Sequence, residues 1–225
     1  MSVPNVASFA DSLAIRARKR RHVVLAGYLA TATRPVSILD VGGTVDYWHT
    51  VALDRCLIQR IVLLNAIDQA ITLPIFEAII GDARDLSRFA DQEFDLTFSN
   101  SVIGHVGDFM DQQRMANEMR RVGKQYLLQT PNHGFPVDWR TLVPTFHWWP
   151  AKAQAWCFEH FGVGKYAKAR SSAEARDWAV RIRNLRRSEI RELFPDSRLM
   201  TERVVGLTKS FLIHNLSDAQ LPNRI

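Results

Sequence analysis

Apolar positions along this chain form short continuous runs that alternate with longer amphipathic stretches. The runs predict buried strands at 36–42, 59–66, 76–83, 94–100 and 124–131. The amphipathic stretches predict helices at 7–30, 46–56, 109–122 and 187–195, and a closing antiparallel pair of strands is predicted at 199–206 and 209–215. Buried strands that alternate with helices are typical of an α/β fold, with a mostly parallel sheet covered by helices on both faces.

The alternation fails between residues 132 and 170. This segment, which we call the insertion, is rich in proline and aromatic residues and holds four of the six tryptophans. We therefore predict a single domain over residues 1–225, with an N-terminal helical segment at 1–35. The insertion is expected to be an elaboration of that domain or a lid over a ligand-binding site.

Length and composition favour one full-sized hydrophobic core, since the chain has 225 residues of which 47% are hydrophobic. No run of about 18 apolar residues is present, and the first residues are polar and basic where a signal peptide would be apolar. We expect a cytoplasmic protein. Cys56 and Cys157 lack the spacing of a zinc site or a disulfide framework, and we expect both to be buried thiols.

The chain is basic, with a formal charge of +6. The excess is concentrated at 16–21 and 176–187, where the simple interpretation is a solvated helix face. The alternative is attraction of an anionic substrate or a lipid headgroup. No nucleic-acid partner is predicted, because no separate RNA-binding module is evident.

Two glycines follow the first predicted strand, in "VSILDVGGTVDYWHT" at 36–50. In a doubly wound sheet, ligands bind beyond the carboxyl ends of the strands. Asp40 and Asp46 flank the glycines and would repel a dinucleotide pyrophosphate. Thr44 and Asp46 also stand where a G-x-G-x-x-G dinucleotide-binding motif would have small or uncharged residues. A cationic S-adenosyl amino-acid group tolerates those acids, so the turn favours S-adenosyl-L-methionine over a dinucleotide.

Three motifs resemble those of class I S-adenosylmethionine-dependent methyltransferases of the type 11 group. They are "ILDVGGT" at the first strand, "IIGDARDL" at the third and "FDLTFSNSVIGHV" at the fourth. The similarity runs from about Ser37 to Pro131. It implies a Rossmann-like doubly wound sheet of seven strands, mostly parallel with an antiparallel C-terminal strand. The chain departs from the family at Thr44 and Asp46, where glycines are usual, and at Asn65, where an acid normally holds the ribose.

The resemblance also implies roles for individual residues. Gly42 and Gly43 would let the backbone approach the methionine part, with Asp40 orienting the loop or the ammonium group. Asn65 would hold the ribose, Asp82 would accept from the adenine amino group, and the Ala83 amide would donate to the ring. The expected cofactor contacts are completed by Thr44, Arg84, Ser99, Asn100 and Ser101.

Simpler alternatives exist for two of these residues. Asp82 in "GDARDL" has the sequence context of an ordinary helix N-cap. Asn65 is equally compatible with a turn residue.

Two histidines in the insertion are candidate catalytic residues. Methyl transfer from a sulfonium is an in-line displacement that depends mainly on alignment, and a hydroxyl acceptor would benefit from a general base. His133 follows the fifth predicted strand and His147 lies in "PTFHWWP". An interfacial or surface role is the alternative for each. No cluster of His, Asp or Glu has metal-ligand spacing, so no metal is predicted.

The aromatic residues of the insertion bear on the acceptor. Either they close the core, or they form a hydrophobic acceptor pocket or a patch on a membrane surface. The residues that would form such a pocket or patch are Trp139, Phe146, Trp148, Trp149 and Trp156, with Lys152, Lys165 and Lys168 nearby. We expect a small-molecule, sugar or lipid-linked acceptor, with O-methyl transfer favoured. The sequence leaves the oligomeric state open.

Two other functions compete with methyl transfer. A nicotinamide (NAD(P))-dependent oxidoreductase uses a similar architecture. A non-catalytic binding protein on a methyltransferase fold is the other alternative, because the glycine motif is altered.

Overall fold

The computed structural model describes residues 21–51, 55–71 and 73–221. Its first element, α1, covers residues 21–30 and is the described end of the helix predicted at 7–30. Residues 1–20 lie outside the described residues. They include the rest of that helix and all of the basic run at 16–21 except Arg21.

A mixed sheet forms the centre of the molecule, and seven strands are found in the described ranges. They are β1 (Val36–Val41), β2 (Ile58–Asn65), β3 (Phe76–Ile80), β4 (Phe94–Asn100), β5 (Gly123–Pro131), β6 (Arg198–Val204) and β7 (Leu207–His214). Their spatial order is β3-β2-β1-β4-β5-β7-β6. The pairs from β3 across to β5 are parallel, and β7 runs antiparallel to both β5 and β6. The predicted fold class is confirmed.

Both faces of the sheet are buried under helices. Alternate side chains of each central strand point to opposite faces, so one strand contributes to the cores on both sides. In β1, Leu39 and Val41 belong to one hydrophobic cluster, whereas Val36 and Ile38 belong to another. The first cluster includes residues of the two helices that cover that face, α3 (Phe109–Val122) and α6 (Arg187–Leu193). The second includes α1 and α2 (Val45–His49). The parallel strands therefore read as continuous apolar runs.

The second predicted helix is shorter than expected. The sequence predicts a helix at 46–56, but α2 ends at His49 with Thr50 as its C-cap. The Thr50 hydroxyl donates to the Tyr47 carbonyl at 2.7 Å, and this local bond competes with continuation of the helix. A 3₁₀ turn covers Arg55–Leu57. Cys56 lies in this turn and is exposed, so the expectation of a buried thiol was wrong there.

The insertion contains ordered structure that the apolar pattern did not predict. It forms the helix α4 (Ala151–His160), and the helix α5 (Ser172–Arg181) follows it. The two helices share a third hydrophobic cluster that includes Phe146, Phe158 and Ala175. The insertion therefore has a small core of its own beside the sheet.

The basic run at 176–187 spans the end of α5 and the start of α6. Arg181 pairs with Asp177 at 2.8 Å, and Arg183 pairs with Glu189. Part of the positive charge in this run is thus compensated within the protein.

Candidate functional site

The glycine turn follows β1 at the carboxyl edge of the sheet. Gly42 has φ +79°, a left-handed conformation that favours glycine. A Cβ atom at Gly42 would lie 2.4 Å from Cγ2 of Val102, and one at Gly43 would lie 2.0 Å from Oδ2 of Asp40. Both positions therefore require glycine.

Asp40 lies beneath this turn with 1% of its surface exposed. Its Oδ2 accepts a 2.7 Å hydrogen bond from the indole nitrogen of Trp48, and its Oδ1 has no partner among the described residues. Burial raises the pKa of the Asp40 carboxyl to about 7, although the Trp48 hydrogen bond acts in the opposite direction. Sequence reasoning missed Trp48, which is visible only as an aromatic residue in the α2 segment.

Asn65 ends β2 and turns back toward the glycines. Its side-chain nitrogen donates to the Gly43 carbonyl at 3.0 Å. Gln69 donates to the same carbonyl at 2.9 Å, and its side-chain oxygen accepts from the Val45 amide at 3.1 Å. The two amide side chains thus hold the turn and the start of α2. Gln69 has no sequence signal beyond its position four residues after Asn65.

Thr44 and Asp46 stand at the start of α2. The Thr44 side chain caps the helix by accepting from the Tyr47 amide at 3.4 Å. Asp46 is exposed in the first turn, where a negative charge interacts favourably with the helix dipole. A local role in the helix therefore accounts for the residues that break the family's glycine pattern.

The turn after β3 contains Asp82, Ala83 and Arg84. The exposed carboxylate of Asp82 accepts from the Arg84 amide at 2.9 Å and from its guanidinium at 2.6 Å. These hydrogen bonds lower the pKa of Asp82. No helix follows, so the N-cap alternative was wrong: Asp82 closes a turn. Arg84 also reaches Asp111 at 3.2 Å.

The end of β4 places its three predicted residues in different surroundings. Ser99 is fully buried, and its hydroxyl donates to the Val41 carbonyl at 2.9 Å. Asn100 accepts from Arg21 at 2.7 Å. Ser101 has φ +63° and its hydroxyl contacts the side chain of Gln129. Ser99 therefore ties β4 to β1, whereas Asn100 and Ser101 are partly exposed at the edge.

Arg21 of α1 ends the basic run at 16–21, and at this residue the interpretation as a solvated helix face was wrong. Its side chain is buried and pairs with Glu202 of β6 at 3.0 Å, and Ser210 of β7 also contacts Glu202. Through Asn100, the pair connects α1, β4 and the antiparallel hairpin at the carboxyl edge.

The two candidate histidines come together. The rings of His133 and His147 lie 5.5 Å apart in an edge-to-face arrangement. Nε2 of the buried His147 contacts the His133 backbone carbonyl at 2.9 Å, so this nitrogen carries the proton. Nδ1 of His147 has no partner in the described part of the chain.

His133 is partly exposed, and its Nε2 lies 3.3 Å from Nη2 of Arg186. Because a guanidinium only donates, this contact requires an unprotonated Nε2. Burial, and next to it the positive charge of Arg186, lower the pKa of His133. His133 is consequently neutral at pH 7 and able to accept a proton.

A buried polar network fixes the insertion to the main sheet domain. Asp138 and Arg140 form an ion pair at 2.6 Å, and both bond Asn184. Although burial alone would raise it, the hydrogen bonds and charge of Arg140 lower the pKa of Asp138 to about 2. Burial and Arg140 lower the pKa of His105 to about 4.

The aromatic residues of the insertion divide into two groups. Phe146 is 1% exposed and belongs to the third hydrophobic cluster, so placing it in an acceptor or membrane patch was wrong. The other four are more than 40% exposed: Trp139, Trp148, Trp149 and Trp156. Core closure therefore explains the phenylalanine and leaves the tryptophans unexplained.

The described ranges contain neither a membrane-spanning helix nor a group of side chains that could hold a metal ion. No helix within them is both long and apolar enough to cross a membrane. Likewise, no group of three or more His, Cys, Asp or Glu side chains in these ranges is arranged to hold a metal ion.

Residues 39–126 match the family model described as a methyltransferase domain. The plantazolicin methyltransferase BpumL in complex with S-adenosylhomocysteine has a similar fold, with a TM-score of 0.52 at 14% identity over 96% of this chain and 92% of that one. The Burkholderia thailandensis 1,6-didemethyltoxoflavin-N1-methyltransferase, with bound 1,6-didemethyltoxoflavin and S-adenosylhomocysteine, has a TM-score of 0.50 at 11% identity over 93% and 83%. No curated protein matches the sequence. The resemblance inferred from the motifs is confirmed over residues 39–126.

Proposed function

We propose that the protein transfers a methyl group from S-adenosyl-L-methionine to a small-molecule, sugar or lipid-linked acceptor, because residues 39–126 match the family model described as a methyltransferase domain. The acceptor atom is a hydroxyl oxygen in this proposal. The chain acts as one domain, with the insertion beside the acceptor.

The position of β7 is the observation that carries the proposal. A dinucleotide-binding sheet has the strand order 3-2-1-4-5-6. Here β7 lies between β5 and β6 and runs antiparallel to both. Together with the family match, this order favours a methyltransferase over a nicotinamide-dependent oxidoreductase.

The residues at the glycine turn fit an S-adenosyl group. A buried carboxylate oxygen of Asp40 lacks a partner among the described residues, and the glycines leave the turn without side chains. These features suit a cationic amino-acid group better than a pyrophosphate. The bound cofactor would supply an electrophilic methyl group on a sulfonium. Asn65 keeps a side-chain oxygen that can accept from a ribose hydroxyl.

On the acceptor side, His133 is proposed as the general base. Its neutral Nε2 faces Arg186, and an acceptor hydroxyl would take the place of that contact. His147 is a positioning residue in this proposal, because its ring is buried and bonds the His133 carbonyl. The proton from the acceptor moves to Nε2 of His133 as the methyl group is transferred.

The function is tested by incubating the protein with methyl-labelled S-adenosylmethionine and fractionated acceptor extracts. We expect label in one small-molecule or lipid fraction, and a rate about 10²- to 10⁴-fold lower for His133→Gln, the range for general bases. Gly134→Ala is the neighbouring control, since a Cβ there meets no atom closer than 3.5 Å. Label transfer that is equal in wild type and His133→Gln would contradict the role of His133. No transfer to any fraction would contradict the proposed function.

A further inference from the structure

Exposed apolar side chains are concentrated in one part of the insertion. In the described chain, five large aromatic side chains other than tyrosine and histidine are exposed, and all lie between residues 137 and 161. Three aliphatic side chains in the same stretch are also exposed. We call these eight exposed side chains the tryptophan face: Val137, Trp139, Leu142, Val143, Trp148, Trp149, Trp156 and Phe161, between 36 and 58% exposed. Patches of this kind mark interaction sites on soluble proteins.

Helix α4 gives the face a regular edge. Gln154, Ala155 and Phe158 point inward and are buried. The outward stripe is Lys152, Trp156 and His160, spaced four residues apart, with Trp149 just before the helix. Trp156 stacks on His160 at 4.7 Å and meets Phe161 edge-on at 5.8 Å. The outer side of α4 is therefore aromatic and basic.

The exposed rings are held in place from below. Trp148 donates its indole N–H to the His133 carbonyl at 2.6 Å, and Trp149 packs against the buried Phe146 at 5.3 Å. Lys165 lies over the Trp139 ring at 4.2 Å. These contacts hold the tryptophan rings in positions where they stay exposed to solvent. Closing the core would not require exposed rings.

The charge around the face is positive. Lys152, Lys165 and Lys168 are exposed, and no carboxylate of the described residues forms an ion pair with them. The acidic residues of the insertion are engaged elsewhere: Asp138 in the buried ion pair and Glu159 with Ser172. A twofold contact between copies of this face would bring like charges together, which disfavours a second copy as its occupant.

We propose that the tryptophan face binds the surface of an anionic lipid bilayer. Tryptophan rings favour the boundary between headgroups and acyl chains, and lysines beside them interact with anionic headgroups. The tryptophan face combines both features, and the binding is peripheral. This inference does not depend on the proposed function, because vesicle binding requires neither the cofactor nor a general base.

The test is co-sedimentation of the intact protein with vesicles. Phosphatidylcholine vesicles that contain phosphatidylglycerol are compared with vesicles of phosphatidylcholine alone. We expect binding to the anionic vesicles and at least tenfold weaker binding for the double variant Trp156→Ser with Phe161→Ser. The triple variant Lys152→Glu, Lys165→Glu and Lys168→Glu should lose the preference for anionic vesicles, with roughly a fivefold loss per lysine.

Leu207→Ser is the matched control, since Leu207 is 54% exposed but lies on the β6–β7 hairpin. It should bind vesicles like wild type. Circular dichroism checks that each variant is folded. The proposal is overturned if wild type binds neither kind of vesicle, or if the folded tryptophan variant binds as well as wild type. It is also overturned if sedimentation velocity shows that wild type dimerises through this face instead of binding vesicles.

Discussion

At the residue scale, the central feature is a carboxyl group buried under a glycine turn. Asp40 keeps one oxygen on Trp48 and leaves the other without a described partner. Burial of such a group is unfavourable unless it is protonated or meets a cation. The ionised form of Asp40 therefore destabilises the ligand-free fold, and a bound cation would relieve that cost.

The first prediction concerns the stability of Asp40→Asn without ligand. In the folded protein the pKa of Asp40 is raised from 3.8 to about 7, so the unfolded chain loses this proton at lower pH than the folded one. Wild type should then lose stability as pH rises between about 4 and 7. Asp40→Asn removes this loss, and the stability difference should increasingly favour the variant across that window. The upper bound is about 4 kcal/mol, at about 1.4 kcal/mol per pKa unit.

Urea unfolding of both proteins at pH 5 and pH 8 measures this difference. Circular dichroism follows the unfolding transition of both proteins. A stability difference that is the same at both pH values would show that Asp40 is ionised normally in the folded state.

The second prediction concerns His133. Its pKa should lie below the ordinary value of 6.5, chiefly because of burial and then because of Arg186. Arg186→Met removes the guanidinium and should raise the pKa of His133 toward 6.5. Titration of the ring protons by nuclear magnetic resonance, assigned by comparison with His133→Gln, provides the measurement. A pKa that stays unchanged in Arg186→Met would remove Arg186 from the surroundings of this ring.

At the element scale, the strands were predictable and the insertion was not. The predicted strand at 94–100 and helix at 109–122 match β4 and α3, because their apolar periods persist over the whole element and Asp108 caps the helix. Helix α4 was missed, since its inward stripe includes the polar Gln154 and its outward stripe includes Trp156. Its position depends on tertiary packing that no local pattern encodes.

The same limit applies to the site. The glycine turn was predictable, because a strand followed by two glycines has a local signature. The Asn65 and Gln69 bonds to Gly43 were not, since they join segments more than 20 residues apart. The ribose role expected of Asn65 stays a prediction, as do the adenine contacts of Asp82 and Ala83.

The third prediction concerns the link between the insertion and the main sheet domain. Arg140→Leu leaves Asp138 buried without its cation, and breaking a buried pair in this way costs about 3–5 kcal/mol. We expect a large drop in unfolding free energy and faster limited proteolysis within 132–170. Arg170→Leu is the control, because Arg170 is exposed where it pairs with Glu174, and this change should have little effect on stability.

The pH dependence supplies a further check. With its pKa lowered to about 2, Asp138 stabilises the folded state above pH 4, and this contribution is lost as pH falls from about 4 to 2. The Arg140→Leu variant should lack that loss. Equal stability of wild type and Arg140→Leu at pH 7 would mean that the ion pair does not anchor the insertion.

At the scale of the whole molecule, the sheet brings three features to one side: the glycine turn, the side-chain amides of Asn65 and Gln69, and the end of β4. These groups lie at the carboxyl ends of adjacent parallel strands, where ligands bind in open α/β sheets. The antiparallel β6–β7 hairpin brings Glu202, which pairs with Arg21 of α1, to that edge. We propose that this edge binds an S-adenosyl cofactor.

Isothermal titration calorimetry with S-adenosylhomocysteine and with NAD tests that claim most directly. Wild type should bind S-adenosylhomocysteine with micromolar affinity and show no heat with NAD. Gly43→Ala should weaken binding at least tenfold, because its Cβ would lie 2.0 Å from Oδ2 of Asp40, whereas Gly134→Ala should bind like wild type. Binding of NAD without S-adenosylhomocysteine, or of neither ligand by the folded protein, would contradict the account.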